Sequence, residues 1–309
     1  LYSFDEWSSG SPWKETMSFS TLPAYRNGSY DPAGEPTGLG KAEMTKQLQA
    51  TAEALGIELE TTQAHRDGRL PFTLTSVTAQ ADGVSLEAEA DGTVTVEFEG
   101  GLSLPEDISF LYYDLLPEEA AHTLTYLSEQ FSALTGFSQP VQALSGSYVL
   151  WNDYDQTGTY IVMPKYEYTY LLYEGAGDDR SDLLSFSFQT VQFYPDENGK
   201  LWIIRLRDRL STAQYLGDYP IITAQEALSL LMEGSYLTNV PYPIEEDATV
   251  AYVELMYRSS RLDPILMPYY RFYVELPEME RDNGLKEYGA YYVPAIERQY
   301  LENMPSGNS

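Results

Sequence analysis

Residues 73–99 read TLTSVTAQ-ADG-VSLEAEA-DG-TVTVEFE, and their two-residue period decides the fold class. Apolar and polar side chains alternate over Thr73–Gln80, Val84–Ala90 and Thr93–Glu99, as half-buried strands require. Asp82-Gly83 and Asp91-Gly92 stand between the runs, where both residue types tolerate the positive φ of tight hairpins. In the last run Val94, Val96 and Phe98 share one face, while Thr95, Glu97 and Glu99 share the other. The stretch is therefore an antiparallel sheet with one wet side.

Working outward, the pattern turns helical upstream. Met44, Leu48, Ala52 and Leu55 form one apolar stripe from Lys41 onward, closed by Gly56. Downstream, Pro117–Leu134 is a second helix, with Pro117 in its first turn, Glu118 and Glu119 at the positive end of its dipole, and Gly136 after it. Strands are expected at Ser147–Trp151, Gly158–Met163, Tyr166–Tyr173, Leu183–Tyr194 and Leu201–Leu206, with an Asn-Gly turn at Asp196–Gly199. A third helix opens on the capping box Thr223-Ala224-Gln225-Glu226, buries Ala227, Leu228, Leu230 and Leu231, and ends at Gly234. Strands Thr249–Tyr257, Pro268–Leu276 and Lys286–Val293 follow. A helix followed by antiparallel strands thus recurs from about residues 41, 117 and 223. That order predicts an α+β fold, single helices on antiparallel sheets, with strand exceeding helix. The organisation expected is an irregular arm or tether (1–40), an N-terminal lobe (41–110), a central lobe (111–210), a C-terminal lobe (211–302) and a disordered tail (303–309). Trp7, Trp13 and Tyr25 are unusual in a free linker, so the arm is read equally as a segment packed on the body.

The chain has 309 residues, 18 Lys and Arg against 47 Asp and Glu, and a formal net charge of −29. Apolar residues make up 43% of it, enough to build cores rather than a disordered chain. A surface this negative repels phosphate backbones and anionic lipid heads, so neither nucleic acid nor a lipid surface is expected as a partner of the folded part. There is no cysteine, which removes disulfides, thiol nucleophiles and thiolate metal sites. The chain starts at Leu1, without a charged-then-apolar leader, so a signal or anchoring segment is expected upstream of it.

Motifs that carry chemistry are sparse. His65 and His122 have no second His at helical zinc spacing, and no Gly-x-Ser-x-Gly elbow places a serine. Ser11-Pro12-Trp13-Lys14 has serine–lysine spacing but stands alone in the arm. Gly38-Leu39-Gly40-Lys41 lacks the remaining elements of a phosphate loop. Asp153–Gly158 matches half a calcium loop, but Pro164 stands where the bidentate Glu belongs, so a hairpin turn is expected without tight calcium binding. With 47 acids, paired carboxylates for glycoside hydrolysis are not a specific signal. No catalytic residue, metal ligand or cofactor is assigned. Tyrosine is the informative residue: there are 27, against 15 Phe and Trp together. Tyr166, Tyr168 and Tyr170 share one strand face. On the strand from Pro268, alternation puts Tyr270, Phe272 and Val274 under the third helix and turns Tyr269, Arg271 and Tyr273 away from it. Those three are the candidate binding residues, a contact surface for another protein, because Tyr and Arg dominate interface hot spots.

The C-terminal block combines Ile222–Leu228 with Gly234-Ser235-Tyr236, Val250–Leu255, Met267–Phe272 and Tyr291–Ile296. In this order it resembles the extracytoplasmic YycH/YycI-type regulatory proteins of Gram-positive bacteria and, more loosely, PepSY-like domains. The resemblance covers about 80 of the 309 residues. It implies a non-enzymatic, membrane-anchored or secreted protein of the cell envelope, a lipoprotein or anchored ectodomain, acting on another envelope protein such as a sensor kinase. The alternative is a secreted carbohydrate-binding protein or glycoside hydrolase that uses an aromatic cleft and paired carboxylates.

Overall fold

A computed structural model describes residues 8–30, 37–67, 74–113, 115–154, 157–241, 243–245, 247–276 and 286–302; the side chains of 66–67, 74, 148–154 and 160–164 lie outside that description. In chain order the elements are β1 (Thr21–Arg26), α1 (Lys41–Leu55), β2 (Thr62–Asp67), β3 (Leu74–Ala81), β4 (Val84–Glu89), β5 (Thr93–Leu102), α2 (Pro117–Gln130) and α3 (Ser132–Thr135). Then come β6 (Pro140–Tyr154), β7 (Tyr160–Glu174), α4 (Asp179–Phe188), β8 (Gln189–Pro195), β9 (Leu201–Asp208), β10 (Gln214–Pro220) and α5 (Ala224–Met232). The chain closes with β11 (Leu237–Thr238), β12 (Val250–Tyr257), β13 (Ile265–Leu266), β14 (Pro268–Glu275) and β15 (Tyr288–Pro294). The fold is α+β, every strand pair is antiparallel, and strand exceeds helix.

Eight strands form one sheet in the order β2-β3-β4-β5-β9-β8-β7-β6. Its two halves come from residues 41–110 and 111–210, joined where β5 pairs with β9 from Thr93↔Arg207 to Glu97↔Ile203. The boundary expected near residue 110 therefore separates no independent sheets. The helices α1 and α2 lie on one face, where Met44, Leu48, Ala120, Leu124 and Leu127 meet Val77, Leu86, Val96, Tyr170 and Ile204. Met44, Leu48 and Val96 are wholly buried, as the 3.6- and 2-residue periods dictate. The left-handed Gly56 closes α1, and Gly136 does the same after α3. The helix expected to run to Leu134 breaks at Phe131, which divides α2 from α3.

Leu183–Tyr194 is a correction: a helix, α4, runs from Asp179 to Phe188, and only from Gln189 does the strand β8 begin. Asp178 caps it by accepting from Ser181 N at 2.9 Å, and Ser187 donates its hydroxyl to the Leu183 carbonyl at 2.7 Å. The run Ser185-Phe186-Ser187-Phe188 mimics a strand period, but Phe186 packs on Ala143, Leu171 and Tyr173 while Phe188 packs on Tyr257 and Leu266.

The second sheet, β11-β15-β14-β12, carries α5 on one face. Thr223 Oγ1 accepts from Glu226 N at 3.2 Å while Glu226 Oε2 accepts from Thr223 N at 2.8 Å, the reciprocal cap the sequence predicts. Two-residue alternation with Val253 and Leu255 would put Ala251 under the helix, yet it is exposed. The β12–β14 register shifts between Val250 and Tyr252, so Ala251 is the extra residue of a bulge.

Over its described residues, from Ser8, the N-terminal arm is packed on the body rather than free. Its β1 stands between β10 and β13 in a three-stranded sheet, Leu22 is fully buried, and Trp13 lies edge-on to Tyr270 at 6.3 Å. Asn27 donates to the carbonyls of Ser260 and Asp263 at 3.1 and 2.9 Å, fixing the arm to the C-terminal lobe. Further on, Ser8 and Gly146 exchange two backbone hydrogen bonds along β6, where the arm covers part of an edge. The N-terminal half is tied to the C-terminal lobe by a buried ionic cluster. Asp91, at the β4–β5 turn, accepts from Arg261 Nε at 2.8 Å and pairs with Arg209, and Arg261 also reaches Glu89 at 2.7 Å.

Candidate functional site

The face predicted to meet a partner is closed. Tyr269 is 7% and Tyr273 8% exposed, and Arg271 forms an ion pair with Glu254, itself 1% exposed. The alternation is right: β14 sends Tyr270, Phe272 and Val274 into the core under α5 and the other three to the opposite side. Long side chains then lie down along that side. Arg258 sits 5.5 Å from the Tyr269 ring and 5.2 Å from Tyr292, Arg271 sits 5.1 Å from Tyr273, and Tyr252 covers Tyr273 at 6.3 Å. Burial pushes the Tyr269 hydroxyl up to about 12. Two-residue periodicity gives the side of a sheet, not its exposure. These three residues therefore form a covered layer.

An open site lies on the eight-stranded sheet. The strand β7 has 15 residues, but β8 pairs with it only from Tyr170 to Tyr173. Beyond Tyr170 the two part, and the loop before α2 enters by a bridge between Tyr113 and Glu167. The gap is a cleft of about 680 Å³ lined by Tyr112, Tyr168, Tyr194, Trp202, Glu167, Asp196 and Glu197, among others. Its floor is rigid, because Tyr168 and Phe193 belong to the main core as well.

Each wall is positioned by local chemistry. The turn Asp196–Gly199 is the expected Asn-Gly turn: Asp196 Oδ1 accepts from the backbone of Asn198 and Lys200, both at 2.8 Å, and Gly199 takes φ 75°. Burial works against ionising Asp196, yet these N–H donors hold its pKa below the usual carboxylate range. Opposite, burial raises the pKa of Glu167. The Tyr112 hydroxyl is also raised, by burial first and then by Tyr113, Glu167 and Glu197 nearby. Trp202 is 43% exposed, its indole N–H donating to Glu97 at 3.1 Å, so a broad ring face is held at the rim. Tyr194 donates to Gln192 at 2.7 Å. Gly100 and Gly101, both at positive φ, form a rim where β5 loses register with β9.

Chemically, this arrangement stacks flat or cationic groups on aromatic faces and receives hydrogen-bond donors at carboxylates. Alternation in β7 flagged its tyrosines, but the partners Tyr112, Asp196 and Trp202 come from distant segments with no common motif. The remaining sequence candidates do not gather here. His65 Nε2 lies 2.7 Å from Thr78 Oγ1 across β2–β3, His122 is exposed on α2, and Ser11 accepts from Trp13 N within the arm. In the Asp153–Gly158 segment, β6 and β7 pair through Tyr154↔Tyr160, while Asp155, Gln156 and the Asp153 side chain lie outside the described residues. Among the described residues no three His, Asp or Glu side chains stand together as a metal site, and no helix is long and apolar enough to cross a membrane. No protein-family model matches the chain, and no curated protein matches it.

Proposed function

We propose that this chain is a non-enzymatic, extracytoplasmic protein of the cell envelope that acts by binding another envelope protein, with the aromatic cleft as its recognition site. The observation that carries the reading is the preorganised cleft: half-exposed aromatic rings held by hydrogen bonds around three carboxylates. Rigid aromatic side chains lose little entropy on binding and bring large contact area, as hot-spot residues do. The placement outside the cell rests on the resemblance of the C-terminal block to YycH/YycI-type regulators, which also suggests a role beside a sensor system. A photo-crosslinking residue at Asn198, on the cleft rim, tests this in the envelope of the native host. It should capture one envelope protein, whereas the same residue at exposed Gln80 should not. Equal capture from both positions refutes the cleft as the site.

A second reading, glycoside binding or hydrolysis, is favoured by one observation: Glu167 is held toward its protonated form while Asp196 is held ionised. Oligosaccharide hydrolysis that disappears in Glu167→Gln would establish it in place of the first.

A further inference from the structure

We propose that the cleft is a seat for basic side chains, so that the ligand is a Lys- or Arg-bearing segment of a partner protein; this rests on the cleft being the recognition site. Four observations carry it.

Among the described residues the lining contains Glu167, Asp196 and Glu197 and no Lys or Arg, with Lys165 and Lys200 standing at its edge. The chain as a whole carries −29, so the field converging on a cleft with low-dielectric walls attracts cations from a distance. The aromatic faces supply the short-range part, because a ring quadrupole holds an ammonium or guanidinium within about 6 Å of its centroid. Finally, the molecule already shows what these walls accept. Lys165 Nζ lies 3.9 Å above the Tyr113 ring, next to Glu167. Lys200 Nζ donates to the Gly100 carbonyl on the rim at 3.0 Å. The Arg205 guanidinium lies 5.2 Å from the Tyr194 ring. Two of these basic side chains lie against lining residues, Gly100 and Tyr194, and the third lies on Tyr113, which neighbours the lining residue Tyr112. The inner cleft, bounded by Tyr112, Trp202 and the carboxylates, offers the same chemistry to an incoming side chain.

A neutral glycan also stacks on aromatic rings, but it gains nothing from the charge. A free polyamine shares the ammonium but lacks the peptide backbone that Gly100 and Gly101 meet at the rim. The probes therefore separate these ligands. Isothermal titration of the full chain would compare acetyl-tetralysine-amide, spermine of the same charge, the fully N-acetylated tetralysine, and chitotetraose. The expected result is binding of tetralysine that weakens at least tenfold in Glu167→Gln/Glu197→Gln and at least fivefold in Trp202→Ala. It should also weaken as salt rises and vanish on acetylation. Circular dichroism confirms that each variant is folded. Tetralysine binding unchanged in both variants places it elsewhere on the acidic surface and overturns the inference. Spermine binding as tightly as the peptide overturns the peptide source. Chitotetraose binding that depends on Trp202 overturns the cationic class while leaving the cleft as the site. If no probe binds and crosslinking from Asn198 matches that from Gln80, the cleft reading itself fails.

Discussion

Replacing Asp91 by Asn should destabilise the protein by about 3 kcal/mol, whereas replacing its neighbour Glu89 by Gln should cost less than about 1 kcal/mol. Both acids serve the same guanidinium, but in different settings. The Asp91 side chain is 1% exposed and answers two arginines that are themselves 18% and 11% exposed. Its Oδ1 also accepts from Thr93 N at 3.0 Å. Losing its charge strands both arginines in a low-dielectric junction, where uncompensated charge costs several kcal/mol. Glu89 is 31% exposed and pairs with Arg261, which Asp91 continues to hold. The two acids also respond to pH in opposite directions. Burial works against ionising Asp91, but Arg209 and Arg261 hold its pKa below the ordinary value. Its contribution is therefore full above the unfolded pKa of about 4 and is lost as pH falls through the folded value. Burial, then Asp91, raise the pKa of Glu89. Its protonated form is the favoured one, so its contribution is present below its unfolded pKa and lost as pH rises through the folded value. Urea unfolding at pH 7 should show the Asp91→Asn midpoint about 1 M lower at unchanged slope, taking a slope near 3 kcal/mol/M. Between pH 4 and 6, Glu89→Gln should make stability rise more steeply with pH than in the wild type. Equal losses for both variants, or a loss below about 1 kcal/mol for Asp91→Asn, would refute this reasoning.

Thr223→Ala removes an acceptor for the first turn of α5 and should cost about 1 kcal/mol in urea unfolding; an unchanged midpoint would contradict the cap. Tyr269→Ala and Tyr273→Ala should each cost about 3 kcal/mol or more, because both rings are buried. Thermal unfolding of the single variants checks this, and wild-type stability would restore the open contact surface. Gly92→Ala should cost at least about 1 kcal/mol, since Gly92 has φ 86° and a Cβ there would collide with the Asp208 carbonyl oxygen. Retained stability would mean that this turn relaxes freely.

The fold was legible wherever one residue pattern had one cause. Alternation across Asp-Gly turns placed β3, β4 and β5 within a few residues, and the Thr223 box placed the start of α5 to the residue. Patterns with two causes were misread. Ser-Phe-Ser-Phe over 185–188 has a strand period, yet its two rings serve two different packing clusters around a capped helix. The strands β2 and β10, Thr-Gln-Ala-His-Arg-Asp and Gln-Tyr-Leu-Gly-Asp-Tyr-Pro, stand at sheet edges with little burial to impose a pattern, and their sequences show no two-residue period. Exposure on β14 was illegible because Arg258 and Tyr252, which cover it, belong to a neighbouring strand and the turn after it. The cleft draws on residues from 100 to 202, and only the sheet order shows that these segments meet.

That sheet order also explains why a cleft exists at all. A neighbour seven residues long cannot cover a strand of 15, so β8 leaves the flank of β7 beyond Tyr170 to other segments. Unpaired flanks invite uncontrolled pairing with other chains and are normally blunted or covered. Here the cover is partial. Tyr113 makes a single bridge at Glu167, and the Asp196–Gly199 turn is braced by its own carboxylate rather than by β7. The core beneath requires Tyr168 and Phe193 to stay where they are, so the gap cannot collapse. A wall fixed from below and a turn fixed from within leave the intervening space preorganised. Binding there would cost little reorganisation, the condition under which a few aromatic and carboxylate contacts suffice for specific recognition.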